Sequence, residues 1–178
     1  MWLLWGALAL ADPADALDEV TRPFFERAES EASTGHWSTA ILYYRMVLTK
    51  DPAFLPASLG LGQALVGNGQ SRDALSLYRS LGDEPDAIEA LARLVEPNDP
   101  VGARQLWHRL QTLRLGDPGP HCEEARLWAS KPDPLPEDLD AALENWSTCN
   151  VLLQGAEPDP KVLLPLSRSE EHTSELQS

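Results

Sequence analysis

A chain of 178 residues with 43% apolar side chains can bury one core of ordinary size or a short stack of small units, and it is read as a single domain. Its formal charge of −14 is spread along the chain, and a surface of that sign repels phosphate backbones and anionic lipid headgroups. Nucleic acid is excluded as a partner on that ground.

Fifteen prolines could signal disorder, but most gather at Pro97 and Pro100, Pro118 and Pro120, Pro132 to Pro136, and Pro158 and Pro160, leaving long periodic segments between them. Six tryptophans and many alanines and leucines also oppose a disordered chain. The composition predicts an all-helical protein punctuated by proline.

In chain order, the start MWLLWGALALA is uncharged and apolar to Leu10, and Ala9-Leu10-Ala11 ahead of Asp12 has the small-x-small pattern of a signal-peptidase site. Residues 1–11 are expected to be a signal peptide; a buried N-terminal helix is the alternative. The run is shorter than the roughly 20 apolar residues that span a bilayer. No membrane insertion is expected after cleavage, and the mature protein is expected to be exported, periplasmic or extracellular. A lead-in, 12–20, follows.

Between Gly35 and Phe54, Trp37, Ala40, Ile41, Tyr44, Val47 and Leu48 fall at spacings of three and four, one face of a helix. The segment has a copy. Gly35 and Gly69, Ala40 and Ala74, Ile41 and Leu75, and Tyr44 and Tyr78 are each 34 residues apart, as are the small residues Ala28 and Gly62 upstream. That period marks a helix-turn-helix repeat.

In these residues the chain resembles the tetratricopeptide repeat (TPR) family, whose unit has a small residue in its first helix, glycine in the turn, alanine and an aromatic in its second helix, and proline after it. Ala28, Gly35, Trp37, Ala40, Tyr44 and Pro52 match in the first unit, and Leu61, Gly62, Gly69, Ala74 and Tyr78 in the second, together covering 21–88. The resemblance implies a short α-solenoid of TPR-like helix-turn-helix hairpins, in which small residues let helices cross closely and the aromatic fills the space between hairpins. Two departures stand out. Ser58 replaces the early aromatic represented by Phe24, and Arg27 and Glu31 stand where apolar residues are usual, so the first helix is expected to be a partly exposed cap.

A degenerate third unit, 89–118, has Ala103, Trp107 and Leu110 in the matching places, although Ala103 follows Ala74 by only 29 residues and Arg104 replaces an apolar residue. A degenerate fourth hairpin, 119–156, is expected to run from His121 to Ser130 and from Glu137 to Leu153, with Ala142, Trp146 and Cys149 as the corresponding set. A linker, 157–167, leads to the tail RSEEHTSELQS, 168–178, which resembles the translation of a sequencing-library adapter. That resemblance implies a truncated open reading frame, and the acidic balance survives without the tail.

The resemblance also implies a concave groove lined by first-helix side chains, which binds a partner peptide or helix. Its positions would be Arg22, Phe25, Glu29, Ala32 and Ser33, then Leu59, Gln63, Val66 and Gly67. Phe25 with Glu29 and Leu59 with Gln63 replace the lysine and asparagine of the family's carboxylate clamp, so a C-terminal carboxylate is disfavoured. A mixed apolar and acidic groove suits a segment with apolar anchors and basic residues.

Cys122 and Cys149 are an even pair in a chain expected to be exported, which suggests a disulfide; two unpaired core thiols are the alternative. His121 to Glu124 holds metal-ligand residue types, but neighbouring residues on a helix point apart, so no metal is expected. His36 and His108 are read as surface or turn residues. No phosphate loop, nucleophile elbow or zinc motif is present, so neither cofactor nor catalytic residue is assigned. The reading is an exported protein-interaction scaffold; the alternative is the N-terminal helical part of a longer cell-envelope enzyme.

Overall fold

The computed structural model describes residues 13–153. The signal-peptide segment, the linker and the tail lie outside the described residues. Among those described, a short 3-10 turn, Pro13–Ala16, precedes eight α-helices and there is no strand. The helices are α1 Arg22–Ser33, α2 Trp37–Lys50, α3 Leu55–Gly67, α4 Ser71–Ser80, α5 Pro85–Val95, α6 Pro100–Leu113, α7 Pro118–Ala129 and α8 Pro136–Leu152. The described chain is all-α, and helices consecutive within α1 to α4 and within α5 to α8 pack against one another.

Local chemistry explains where the helices begin. Pro23, Pro56, Pro85, Pro100, Pro118 and Pro136 each sit in a first turn, where the missing N–H is no loss. Asp99 and Asp117 cap α6 and α7 by accepting from the backbone N–H of Gly102 (2.8 Å) and Gly119 (2.9 Å). Within the first two hairpins the turn is made by Gly35 and Gly69, one period apart, at φ of 78° and 77°, a region that side-chain-bearing residues avoid.

The chain divides into two compact units, the first ending at Ser80 and the second beginning at Leu81. The first holds α1 to α4 and the second α5 to α8. The boundary drawn at 88 falls inside α5. The physical reason is a short second helix: α4 has 10 residues against 14 in α2, Gly82 at φ 69° turns the chain, and Pro85 opens the next helix early. The same shortening accounts for most of the reduced spacing from Ala74 to Ala103.

Within each unit the hairpins close on small residues. Ala40, Ala74, Ala103 and Ala142 are fully buried, and four positions on from each stands a buried aromatic, Tyr44, Tyr78, Trp107 and Trp146. In the first unit Phe25 meets Tyr44 and Phe54 edge-on, with ring centroids 6.2 and 5.2 Å apart. In the second, Ile88, Ala92, Ala103, Trp107, Leu110 and Leu127 form one cluster, while Ala125, Ala129, Ala142, Trp146 and Cys149 form another.

Glu31 modifies the expectation of an exposed cap, because it is buried. Its carboxylate is taken up by Arg27 at 2.5 Å and by His36 Nδ1 at 3.0 Å, so an acid stands at a core-facing position with partners supplied from its own hairpin.

Candidate partner-binding surface

In the first unit α1 and α3 lie beside one another, with α2 packed against both. The link between them is Tyr44. Gly60 of α3 leaves room for the Tyr44 ring, since a Cβ at that position would overlap Cζ, Cε1 and the hydroxyl oxygen. Gly62 does the same for Tyr78. The Tyr44 ring is almost wholly buried, and its hydroxyl donates to Oε1 of Glu29 on α1. Burial, reinforced by the Glu29 hydrogen bond and charge, pushes the Tyr44 phenol well above its usual range. It therefore remains a neutral donor at any pH at which the protein is ordinarily handled. Burial raises Tyr78 to about 12 in the same way.

The consequence is a surface carboxylate held from beneath. Glu29 is exposed, one of its oxygens is anchored by Tyr44, and the Tyr44 hydroxyl brings it beside Gly60. One period on, Gln63 is also exposed. Ser33 is exposed, Arg22 and Ala32 are half-buried, and on α3 Leu59 is half-buried while Val66 and Gly67 are exposed, with the Trp37 ring lying against Gly67.

Phe25 departs from this set and is corrected: it is 5% exposed and belongs to the aromatic cluster with Tyr44 and Phe54. A partner cannot reach it. The family pattern gave the position but not the neighbour, because Phe54 comes from the loop after α2 and closes over Phe25.

The second unit contains a polar chain that the sequence reading did not find. Glu124, 6% exposed, accepts from Nε2 of Gln111 at 2.6 Å and lies 3.3 Å from Nδ1 of His108 and 3.4 Å from Nε1 of Trp128. Gln111 also donates to Oδ1 of Asn145 at 3.0 Å, and Nδ1 of His121 stands 3.4 Å from the same oxygen. Three helices are stitched by groups that satisfy one another. Arg104 adds a cation over the Trp128 ring, 3.6 Å from its centroid. Among the described residues no group of three or more His, Cys, Asp or Glu side chains could hold a metal ion. Cys122 and Cys149 are joined in a disulfide between α7 and α8, with Cα atoms 5.3 Å apart.

Comparison with solved structures places these hairpins. The crystal structure of MamA protein is similar with a TM-score of 0.67, covering 90% of this chain and 88% of that one at 17% sequence identity. The fold is MamA-like. A MamA structure from Desulfovibrio magneticus RS-1, running from position 41 to its end, gives a TM-score of 0.62 at 16% identity over 77% of each chain. MamA contains TPRs, so the fold class is a TPR-like helical-repeat solenoid. No family model matches the sequence, and no curated protein is similar to it in sequence. At such identity the likeness to MamA carries the fold alone. No described helix is long and apolar enough to cross a membrane.

Proposed function

We infer that the protein is an exported protein-interaction scaffold, and that the α1–α3 face of its first unit binds a peptide or helix carrying a lysine or arginine beside apolar side chains. The observation that carries this reading is the Glu29 carboxylate anchored by buried Tyr44. Fixing the acceptor before binding removes much of the ordering cost that a free surface glutamate would bring. Leu59, Ala32 and Val66 supply apolar contact close by, and Gln63 supplies a further donor and acceptor. The role is binding rather than catalysis.

Export draws support from the Cys122–Cys149 disulfide, since such bonds persist in oxidising compartments. N-terminal sequencing of the protein recovered from the periplasm or medium is expected to begin at Asp12.

A peptide library spanning acidic, neutral and basic sequences tests the binding role. Basic peptides with apolar anchors are expected to be enriched, and Glu29→Gln combined with Gln63→Ala is expected to weaken their binding about tenfold. Selection of peptides that bind this variant as well as the parent would remove the α1–α3 face from consideration.

A further inference from the structure

The longest link between the described α-helices is 130–135, which joins α7 to α8; the others run to four residues at most. Residues 131–137 are all exposed, Leu135 to 51%. Exposed loop tips are where proteases ordinarily nick a folded protein, because the chain there can be drawn out without unfolding a helix. Yet the sequence Lys131-Pro132-Asp133-Pro134-Leu135-Pro136-Glu137 alternates, so every peptide bond within it has a proline on one side.

That alternation selects the class of enzyme that can act. At the bonds after Lys131, Asp133 and Leu135 the leaving nitrogen belongs to proline, which carries no N–H and is closed into a ring that fixes φ at about −65°. An endopeptidase that selects for lysine, leucine or an acid must seat that ring on the leaving side, where it does not fit. At the bonds after Pro132, Pro134 and Pro136 the acyl side is proline, and the enzyme needs a pocket shaped to the ring. The bond after Pro136 lies in the first turn of α8 and is held by the helix. Two bonds remain, Pro132–Asp133 and Pro134–Leu135. Asp133 between them has φ of 50°, the one positive value on a side-chain-bearing residue among those described, so a cut on either side frees a disfavoured backbone.

The second bond leaves a product with a partner already in place. The Leu135 N–H donates to Oδ2 of Asp138 at 2.8 Å, and Asp138 is 4% exposed. Hydrolysis adds the hydroxyl of water to the Pro134 carbonyl carbon, breaks the C–N bond and passes the protons to the leaving nitrogen. The products are a Pro134 carboxylate and a Leu135 ammonium, and the ammonium forms beside the Asp138 carboxylate. The same carboxylate holds Lys131 Nζ at 2.5 Å, a residue on the other side of the cut.

Cys122 and Cys149 lie on either side of the loop, on α7 and α8, and their disulfide joins the two pieces. Ala125 and Ala129 of α7 pack with Ala142 and Trp146 of α8, and Gln111 of α6 bonds to Asn145, so the packing of α8 does not depend on the loop. We propose that Pro134–Leu135 is a processing site for a proline-specific endopeptidase, and that the product is a two-chain protein in which the disulfide keeps α8 in place. Release of α8 then requires a second event, reduction.

The test is brief digestion of the oxidised full chain with a proline-specific endopeptidase and, separately, with trypsin. Mass spectrometry identifies the cut bonds, and circular dichroism follows the fold before and after dithiothreitol is added. The proline-specific enzyme is expected to cut first between Pro134 and Leu135 among residues 13–153, giving a product heavier by one water that keeps the helical signal and parts into two pieces only with reductant. Trypsin is expected to spare Lys131 in the parent and to cut after it in Pro132→Ala, whose thermal midpoint is expected to match the parent's. An earlier cut elsewhere within 13–153, a helical signal lost before reduction, or trypsin cleavage after Lys131 of the parent would overturn the proposal. So would a Pro132→Ala chain that keeps its midpoint and still resists trypsin at Lys131, since its loop would then be closed to any protease; if that variant unfolds, digestion of the parent decides.

Discussion

Tyr44 is the residue on which the first unit turns, because one side chain joins core, helix crossing and surface. Tyr44→Phe keeps the ring and removes the donor. It is expected to lower stability by about 1 kcal/mol, the usual worth of one hydrogen bond, and to weaken binding of basic peptides by releasing Glu29. Urea unfolding and peptide titration on the same variant separate the two effects. Phe25→Ala is expected to cost about 3 to 5 kcal/mol, as truncation of a buried aromatic does, and to disturb binding only through loss of fold. Phe25 also shows where reading by residue stops. The family resemblance placed it on the first helix, but its burial is completed by Phe54, a loop residue with no periodic signal of its own.

At the scale of helices, legibility followed periodicity. The units in strict register, around Gly35 and Gly69, Ala40 and Ala74, and Tyr44 and Tyr78, could be read because identical spacing demands identical packing. The division between Ser80 and Leu81 could not, because the four residues by which α4 falls short of α2 show in the sequence only as the spacing of 29 from Ala74 to Ala103, which does not say which helix is shorter. The chain from His108 through Glu124 and Gln111 to Asn145 was hidden for another reason: its members come from three helices, and spacing within one helix says nothing of neighbours across a crossing. The helix crossing itself yields a prediction. Gly60→Ala would drive a methyl into the Tyr44 ring, and although alanine favours the helix by about 1 kcal/mol, overpacking of about 1 to 3 kcal/mol is expected to outweigh it. Thermal unfolding of Gly60→Ala should show a lowered midpoint, whereas Gln63→Ala on the exposed side of α3 should leave it nearly unchanged.

For the whole molecule, stability is expected to depend on acid and on oxidation, and the second unit contributes to both. Burial acts to raise the Glu89 carboxyl, but hydrogen bonds from Arg114 and Arg93 hold it below the usual carboxylate range. Asp138 is held low by hydrogen bonds from Lys131 and the Leu135 backbone. A carboxylate with a lowered folded pKa stabilises the protein above its unfolded value, near pH 4, and that contribution is lost as pH falls through the lower folded value. Tryptophan fluorescence during heating is expected to give similar midpoints at pH 7 and 5 and a falling one below about pH 4, with a shallower fall in Glu89→Gln. Reduction of Cys122–Cys149, or Cys122→Ser, is expected to cost about 3 kcal/mol for a loop of this length.

The same disulfide divides the chain mechanically. Residues 123–148 lie inside a covalent ring whose ends stand 5.3 Å apart, so a pull applied to the two termini passes through the sulfur bridge and leaves the intervening polypeptide slack. A 27-residue separation corresponds to roughly 90 Å of extended chain that force alone cannot release. In a stretching experiment the oxidised protein should come up short by about that length. Adding a reductant should let out the missing contour, making the state of one bond readable as a distance.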